Sequence, residues 1–264
     1  MSGEHREYLR KLRRGRRAVA LSRIGLFALI LLLWEAGGRI GLFDPFILSS
    51  PARVARTILS LAQKGELLPH VLTTSFETAA GFLLGTLLGV GTAVLLWFCP
   101  TLEKVLDPYL VVLNALPKIA LGPVLIVWVG AGAEAIIVMA ILVSSVVTVM
   151  SVLAGFLEIT GEKQKLMLTL GATRTQTFIK VVLPASVPTI MSALKISVGM
   201  SWVGVIVGEY LVSKRGLGYL IVYGGQVFRL DLVMASITVL CALAAIMYFA
   251  VAAFEKRISR RFGA

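Results

Sequence analysis

Long apolar stretches alternate with short polar intervals along this chain, and only one polar interval is long. A helix of roughly 20 apolar residues crosses a bilayer. The pattern predicts six such spans, at about residues 24–42, 71–98, 109–129, 134–153, 189–212 and 232–254. The short alternating segments of a transmembrane barrel do not occur. The expectation is an all-α membrane protein with six transmembrane helices. The long polar interval, residues 155–188, reads GFLEITGEKQKLMLTLGATRTQTFIKVVLPASVP. It predicts two short helices outside the bilayer. The first runs from about Gly161 to Leu170 and ends at Gly171 in a left-handed conformation. The second starts at a Thr173–Gln176 capping box and is stopped by Pro184.

Three spans carry features beyond length. In the second, Gly81, Gly85 and Gly89 recur every four residues, which lets another helix approach closely. Glu77 lies near its outer end, a position compatible with the interface. The third is interrupted by Pro117 and Pro123, and each proline removes a helical hydrogen bond. Lys118 lies between them, and an ionisable group inside a span is a functional candidate by default. Its bland alternative is a lysine that snorkels or bonds a carbonyl. The fifth span holds Glu209 near its end. The stretch 99–108 reads as a polar turn before the third span. Between the first two spans, Ser50 and Pro51 predict a helix start, with Val54, Ile58 and Leu61 on one apolar face.

Composition agrees with this reading. Hydrophobic residues make up 58% of the 264, only 15% are charged, and mean hydropathy is +0.89; a soluble domain carries about a quarter charged residues. The net charge of +12 does not point to nucleic acid, because the basic residues gather at the ends and in the intervals. Seventeen of the 26 Lys and Arg fall in residues 1–23, 99–108, 155–188 and 255–264, against seven in the alternate connectors. That asymmetry places both basic tails, 1–23 and 255–264, and the long interval in the cytoplasm. A basic start followed by Ile24–Trp34 and the small residues Ala36–Gly38 also fits a signal peptide; a first span at 24–42 is preferred. Two cysteines and two histidines offer no disulfide framework, metal set or nucleophile constellation. A membrane-embedded enzyme is therefore disfavoured. The chain has no GxxxxGK[ST] loop with which to hold ATP.

The segment LGATRTQTFIKVVLPASVP resembles the cytoplasmic signature loop of permease subunits of bacterial ABC importers. That loop reads Glu-Ala-Ala, three residues, Gly, and farther on Leu-Pro; Gly171 fits the glycine, and Leu183 with Pro184 fits the Leu-Pro. LNALPKIALGPVLIVWVGAG at 113–132, ILSSPARVARTI at 47–58 and GEYLVSKRGLGYLI at 208–221 resemble segments of the nitrate, sulfonate and taurine branch. The resemblance covers about Leu42 to Phe254. It implies a type I importer (MetI-like) permease fold in the bacterial inner membrane, with cytoplasmic coupling helices. It implies ABC ATPase subunits, which use ATP and Mg while this chain needs no cofactor. It also implies an extracytoplasmic substrate-binding protein and a second permease copy in a homodimer within the lipid bilayer. ATPase coupling would fall to Glu158, Glu162, Lys165, Leu166, Met167, Leu170, Gly171, Ala172, Leu183 and Pro184. The path would be lined by spans two to five, with Pro117, Lys118, Pro123 and Glu209 as candidates. The solute would be small and anionic. One departure stands out: the Glu-Ala-Ala positions hold Lys165, Leu166 and Met167. Either Glu162 supplies the carboxylate, or Lys165 meets an acidic partner surface. The alternative from another class is a stand-alone secondary transporter or channel, for which Glu77 and Glu209 are the candidate coupling carboxylates.

Overall fold

The computed structural model describes residues 3–42, 44–159 and 161–262; at 3–14, 16, 17, 20, 45, 162, 164 and 259–262 it describes the backbone alone. All regular structure among the described residues is helical. In chain order it comprises α1 (Gly3–Arg39), α2 (Pro45–Leu48), α3 (Pro51–Gln63), α4 (Leu67–Phe98) and α5 (Pro100–Ala115). A 3-10 turn over Lys118–Leu121 leads into α6 (Gly122–Val129), followed by α7 (Ala133–Glu158), α8 (Gly161–Thr169) and α9 (Arg174–Thr177). A π turn over Phe178–Val182 then enters α10 (Leu183–Val212), and α11 (Leu217–Gln226) and α12 (Leu230–Phe262) complete the chain. Five helical stretches are long and apolar enough to cross a membrane. The pair formed by α5 and the Lys118–Val129 stretch, bent by 88°, makes a sixth if counted as one span.

The bundle is organised on α7. A side chain at Gly81, Gly85 or Gly89 of α4 would run into Ala140, Ser144 or Thr148 of α7. Both series climb by four, so α4 and α7 run parallel and touch along one stripe. On the other side, Gly204 and Gly208 of α10 lie over Ala140 and Ile136, and Gly155 of α7 lies under Thr189. There the numbers rise on one helix as they fall on the other, so α10 is antiparallel. Small residues allow this approach, and backbone-to-backbone proximity supplies the dispersion contacts that hold helices together in lipid. Hydroxyls complete the seam. Ser144 and Thr148 donate to carbonyls one turn back, and Thr148 meets Ser197 across the helices at 2.5 Å.

The remaining elements attach at the two ends. At the end where α4 begins, Leu61 of α3 packs with Leu217 and Leu220 of α11 and Leu232 of α12. Ser50 caps α3 by accepting from Arg53 N–H, with Pro51 in the first turn. Asp231 then ties that helix to α12, accepting from Ser49 Oγ at 2.7 Å and from Arg53 Nη2 at 2.8 Å. Glu35 of α1 pairs with Arg39 and also accepts from Ala52 N–H. Farther along, Lys195 of α10 donates to both oxygens of Glu255 of α12, at 2.9 and 3.0 Å. A charge inside a span is tolerated when it is paired in this way.

Three sequence expectations need correction. Residues 99–108 are not a turn: α5 starts at Pro100, where the missing N–H costs nothing in a first turn, and Pro108 is carried inside it. Pro184 does not stop a helix. The chain widens to the π turn just before it, with Leu183 N–H bonding to Phe178 O, and runs helically from Arg174 to Val212. A widened turn relieves the clash between a proline ring and the carbonyl four residues earlier. Glu77, near the outer end of its span, does not face the surroundings of the bundle as an interfacial side chain would; it is 2% exposed.

Substituting Gly204→Val would drive a side chain into the Ala140 backbone, 2.5 Å from its Cα. Overpacking of this kind costs about 1–3 kcal/mol. The expected outcome is a clearly lowered thermal midpoint of the detergent-solubilised protein. Gly91→Val, at a position with nothing within 4 Å, is the control. Equal losses at both positions would mean that Gly204 is not a packing contact.

Candidate functional site

The helices α8 and α9 form an angled pair beyond the ends of α4 and α7. Gly171 makes the angle possible. At φ +75° it occupies the left-handed region that glycine tolerates best. Around it, Ala172 N–H donates to Met167 O and Gly171 N–H to Leu168 O, both at 3.0 Å, which is the Schellman closure of α8. Two residues on, the capping box restarts the helix. Gln176 N–H donates to Thr173 Oγ1 at 3.2 Å, and Thr173 N–H to Gln176 Oε1 at 2.8 Å.

One aromatic residue packs this pair against the ends of α4 and α7. Phe178 is buried, with ring centroids of Trp97, Phe98 and Phe156 at 4.8, 5.2 and 5.3 Å. Trp97 and Phe98 end α4, and Phe156 lies near the end of α7. Arg174 adds a second fastening. Its guanidinium sits 5.4 Å above the Trp97 ring, and its Nη2 donates to Trp97 O at 3.3 Å. Movement of the α8–α9 pair is thereby coupled to the ends of α4 and α7. Little of this segment is covered: Leu166 and Leu168 of α8 and Leu170 just after it are 60%, 63% and 73% exposed. A cluster of exposed leucines on a segment outside the spans marks a protein-binding surface.

The individual coupling candidates sort as follows. Glu158, Lys165, Leu166, Leu170 and Gly171 are exposed, and Met167, Ala172, Leu183 and Pro184 are half-buried. The side chain of Glu162 lies outside the described residues. The path candidates do not form one group. Pro117 and Pro123 are exposed on the bent α5–α6 unit. Lys118, half-buried between them, donates to a backbone carbonyl, Asn114 O, at 3.2 Å.

Glu209 is elsewhere, 1% exposed at the opposite end of the bundle from α8. Its Oε2 accepts from Gly218 N–H at 2.6 Å, and its carboxyl would collide with any side chain at Gly216 or Gly218. Gly216, at φ +113°, also donates to His70 Nδ1, and Leu217 N–H donates to Thr74 Oγ1. Glu209 thus ties the turn after α10 to α11, beside the buried carboxyl of Glu77.

Phe178, Trp97 and Arg174 escaped sequence reasoning. The apolar spacing of Phe178 and Val182 was visible, but their partners lie in segments read as membrane. The pairing of Glu77 with Glu209 had no local signal, because 132 positions of sequence separate them.

Comparison with known proteins gives this arrangement a context. A family described as the binding-protein-dependent transport system inner membrane component matches residues 81–261. A "Probable ABC transporter permease protein" of Haemophilus influenzae is 30% identical over 226 residues, covering 86% of this chain and 91% of that protein. The taurine transport system permease protein TauC of Escherichia coli is 27% identical over 248 residues, 92% of this chain and 90% of that protein. The riboflavin transport system permease protein RibX of Chloroflexus aurantiacus is 27% identical over 232 residues, 88% and 87% respectively. A solved structure of the inward-facing MetNI methionine ABC transporter superposes with a TM-score of 0.65 at 22% identity, covering 73% of this chain and 95% of that one. The fold is therefore the MetI-like permease fold of type I importers.

Removing the anchoring ring should free the α8–α9 pair. Burying a phenylalanine in a packed site contributes about 3–5 kcal/mol relative to alanine. Phe178→Ala is expected to speed tryptic cleavage at Lys163, Lys165 and Arg174 several-fold, with Phe178→Leu intermediate. An unchanged cleavage rate would mean that the ring does not hold the segment.

Proposed function

The chain belongs to the family of binding-protein-dependent transport system inner membrane components, and from that premise we propose that it forms the translocation path of an ATP-driven importer. It is a transport permease subunit of a multi-pass membrane protein family. The single observation that carries the ATP-driven reading is the α8–α9 pair. It is anchored to α4 and α7 by Phe178, and it offers uncovered leucines outward.

In this reading a separate ATPase grips residues 158–172, using ATP and Mg on its own side. Glu158, Lys165, Leu166, Met167, Leu170, Gly171 and Ala172 form the grip, with Glu162 alongside. Leu183 and Pro184 pass the motion into α10. An anchored helix pair moves the ends of α4 and α7 as a unit, and rocking of packed helices about a fixed path is the general logic of alternating access. A second copy of the chain covers apolar surface that is bare here, including Val127 and Trp128 of α6. An external binding protein delivers the solute. Both termini lie in the cytoplasm of a bacterial cell, a reading supported by the distribution of Lys and Arg.

The solute is small and carries an anionic group, of the nitrate, sulfonate or taurine kind. The taurine relative and the motifs at 113–132 and 208–221 support this class. Lys118 would attract such an anion along the path formed with Pro117 and Pro123. Glu209 acts as a brace in the path wall.

The test is reconstitution of the chain with its ATPase and binding protein in liposomes. ATP-dependent uptake is expected, with none from the chain alone under an ion gradient. Gradient-driven uptake by the chain alone would instead establish a secondary transporter. Within the assembly, Lys165→Glu should weaken capture of the ATPase in a pull-down by about ten-fold, the loss of one charge-assisted contact. Lys118→Ala should lower uptake more than it lowers membrane insertion. Equal losses would make Lys118 a structural residue.

A further inference from the structure

His70, Thr74 and Glu77 follow one another at helical spacing along α4, so they share one face of that helix. Each meets the chain at the junction of α10 and α11. Gly216 N–H donates to His70 Nδ1 at 3.0 Å, and Leu217 N–H donates to Thr74 Oγ1 at 2.8 Å. The third contact differs in kind. Glu77 reaches Glu209 in the last turn of α10, and the two side chains hydrogen-bond to each other. Both are buried.

Two ionised carboxylates cannot make that bond, because neither has a hydrogen to give. Nor does a cation intervene. Among the described residues the carboxylates in ion pairs are Glu35, Asp231 and Glu255. Lys214 and Arg215, between α10 and α11, share a cavity wall with Glu77 but are exposed. On α4 itself, His70 is committed to the Gly216 backbone. From α7, Glu134 is exposed and its carboxyl lies against Gly132. One proton shared by the pair supplies the missing hydrogen and removes one of two adjacent buried charges. The other donors fix where it resides. Glu209 Oε2 accepts from Gly218 N–H at 2.6 Å, and Thr74 and the Tyr219 N–H also bond to Glu209. Glu209 is thus the acceptor. Glu77 has no hydrogen-bond partner but Glu209 among the described residues, so it is the donor.

We propose that Glu77 is held as the neutral acid and donates its proton to the carboxylate of Glu209, as a positioning residue that latches α4 to the α10–α11 junction. The latch acts through Glu209. That carboxylate holds the Gly218 N–H at the start of α11, and Gly216 and Gly218 give it room that any side chain there would fill. Of the three contacts along the α4 face, two are made to backbone N–H groups, and only the third depends on an exchangeable carboxyl proton. Glu77 also lines a cavity of about 380 Å³ with Thr73, the Gly132–Ala133 start of α7, Lys214 and Arg215, which gives that proton a route to water. Its release leaves two carboxylates side by side, and like charges so placed repel. The latch is a property of the chain itself and stands apart from the permease reading.

The test uses the full chain in nanodiscs at neutral pH, with no ATPase or solute present. Infrared difference spectra between the native chain and Glu77→Gln report the proton. A carbonyl band of a protonated carboxyl, shifting in heavy water, is expected in the native chain and absent from the variant. Hydrogen exchange at the Leu217 and Gly218 amides reports the latch. Glutamine keeps an N–H donor for Glu209, so Glu77→Gln should exchange at the native rate. Glu77→Ala removes the donor and should exchange at least about ten-fold faster, the loss of one hydrogen bond to a charged group. Failure to lose an acid band in Glu77→Gln would overturn the proposal. So would equal exchange in the glutamine and alanine variants, or a Glu77→Gln chain that does not fold. The infrared comparison does not involve Glu77→Ala, so the proposal stays open to refutation if that variant fails to fold.

Discussion

The close approach of α7 to α4 and α10 is the constraint on which the rest of this structure depends. In lipid, apolar side chains gain nothing by leaving one hydrocarbon for another, so the hydrophobic effect does not draw spans together. What remains is dispersion at short range and hydrogen bonding. Gly81, Gly85 and Gly89 meet Ala140, Ser144 and Thr148, and Gly204 and Gly208 meet the other flank of the same helix. Any other side chain at these glycines would separate the backbones. The hydroxyls of Ser144 and Thr148 fit the seam because each donates to its own helix, leaving no bare donor toward lipid. The three helices therefore move as a block, and the elements attached at either end inherit its position.

At the α8 end the block is stiff and apolar. Trp97, Phe98, Phe156 and Phe178 interlock, and aromatic pairs at these separations contribute about 0.5–1.5 kcal/mol each beyond the area they bury. The π turn at Phe178–Val182 lies directly beside this cluster. It is the point where the segment outside the membrane becomes α10. A single widened turn there rotates the helix relative to a regular continuation, which lets Phe178 face the cluster while Pro184 is accommodated. One local feature thus meets two demands.

Much of this could be read from the chain, and the failures share a cause. The span pattern, the Gly81–Gly85–Gly89 stripe, the turn at Gly171 and the Thr173–Gln176 box are local signals, since each depends on residues within one or two turns. Pro184 misled because a proline's local rule is to end a helix, and the rule yields when the preceding turn can widen. Residues 99–108 misled because charges at Glu103, Lys104 and Asp107 look like a turn but also suit the exposed first turns of a helix. The anchoring role of Phe178 and the meeting of Glu77 with Glu209 depend on contacts between distant segments, which no window of sequence contains.

The two ends of the block differ in kind, and that difference bears on how such a protein works. The α8 end is aromatic and sealed, which suits the transmission of displacement without loss. The opposite end is built from glycine turns, a cavity and polar groups: Gly216 and Gly218 wrap Glu209, the buried carboxyl of Glu77 meets that of Glu209, and Arg53 holds Asp231. Buried carboxyls are costly near a membrane, and the seam keeps them affordable by fixing the helices that carry them. Because α7 spans both ends, a displacement arriving at Phe156 reaches Ala133 through one continuous helix. A shift of that helix start alters the cavity beside Glu77 directly. The stiff end and the polar end are thus two terminations of the same small-residue seam, and neither would hold its geometry without it.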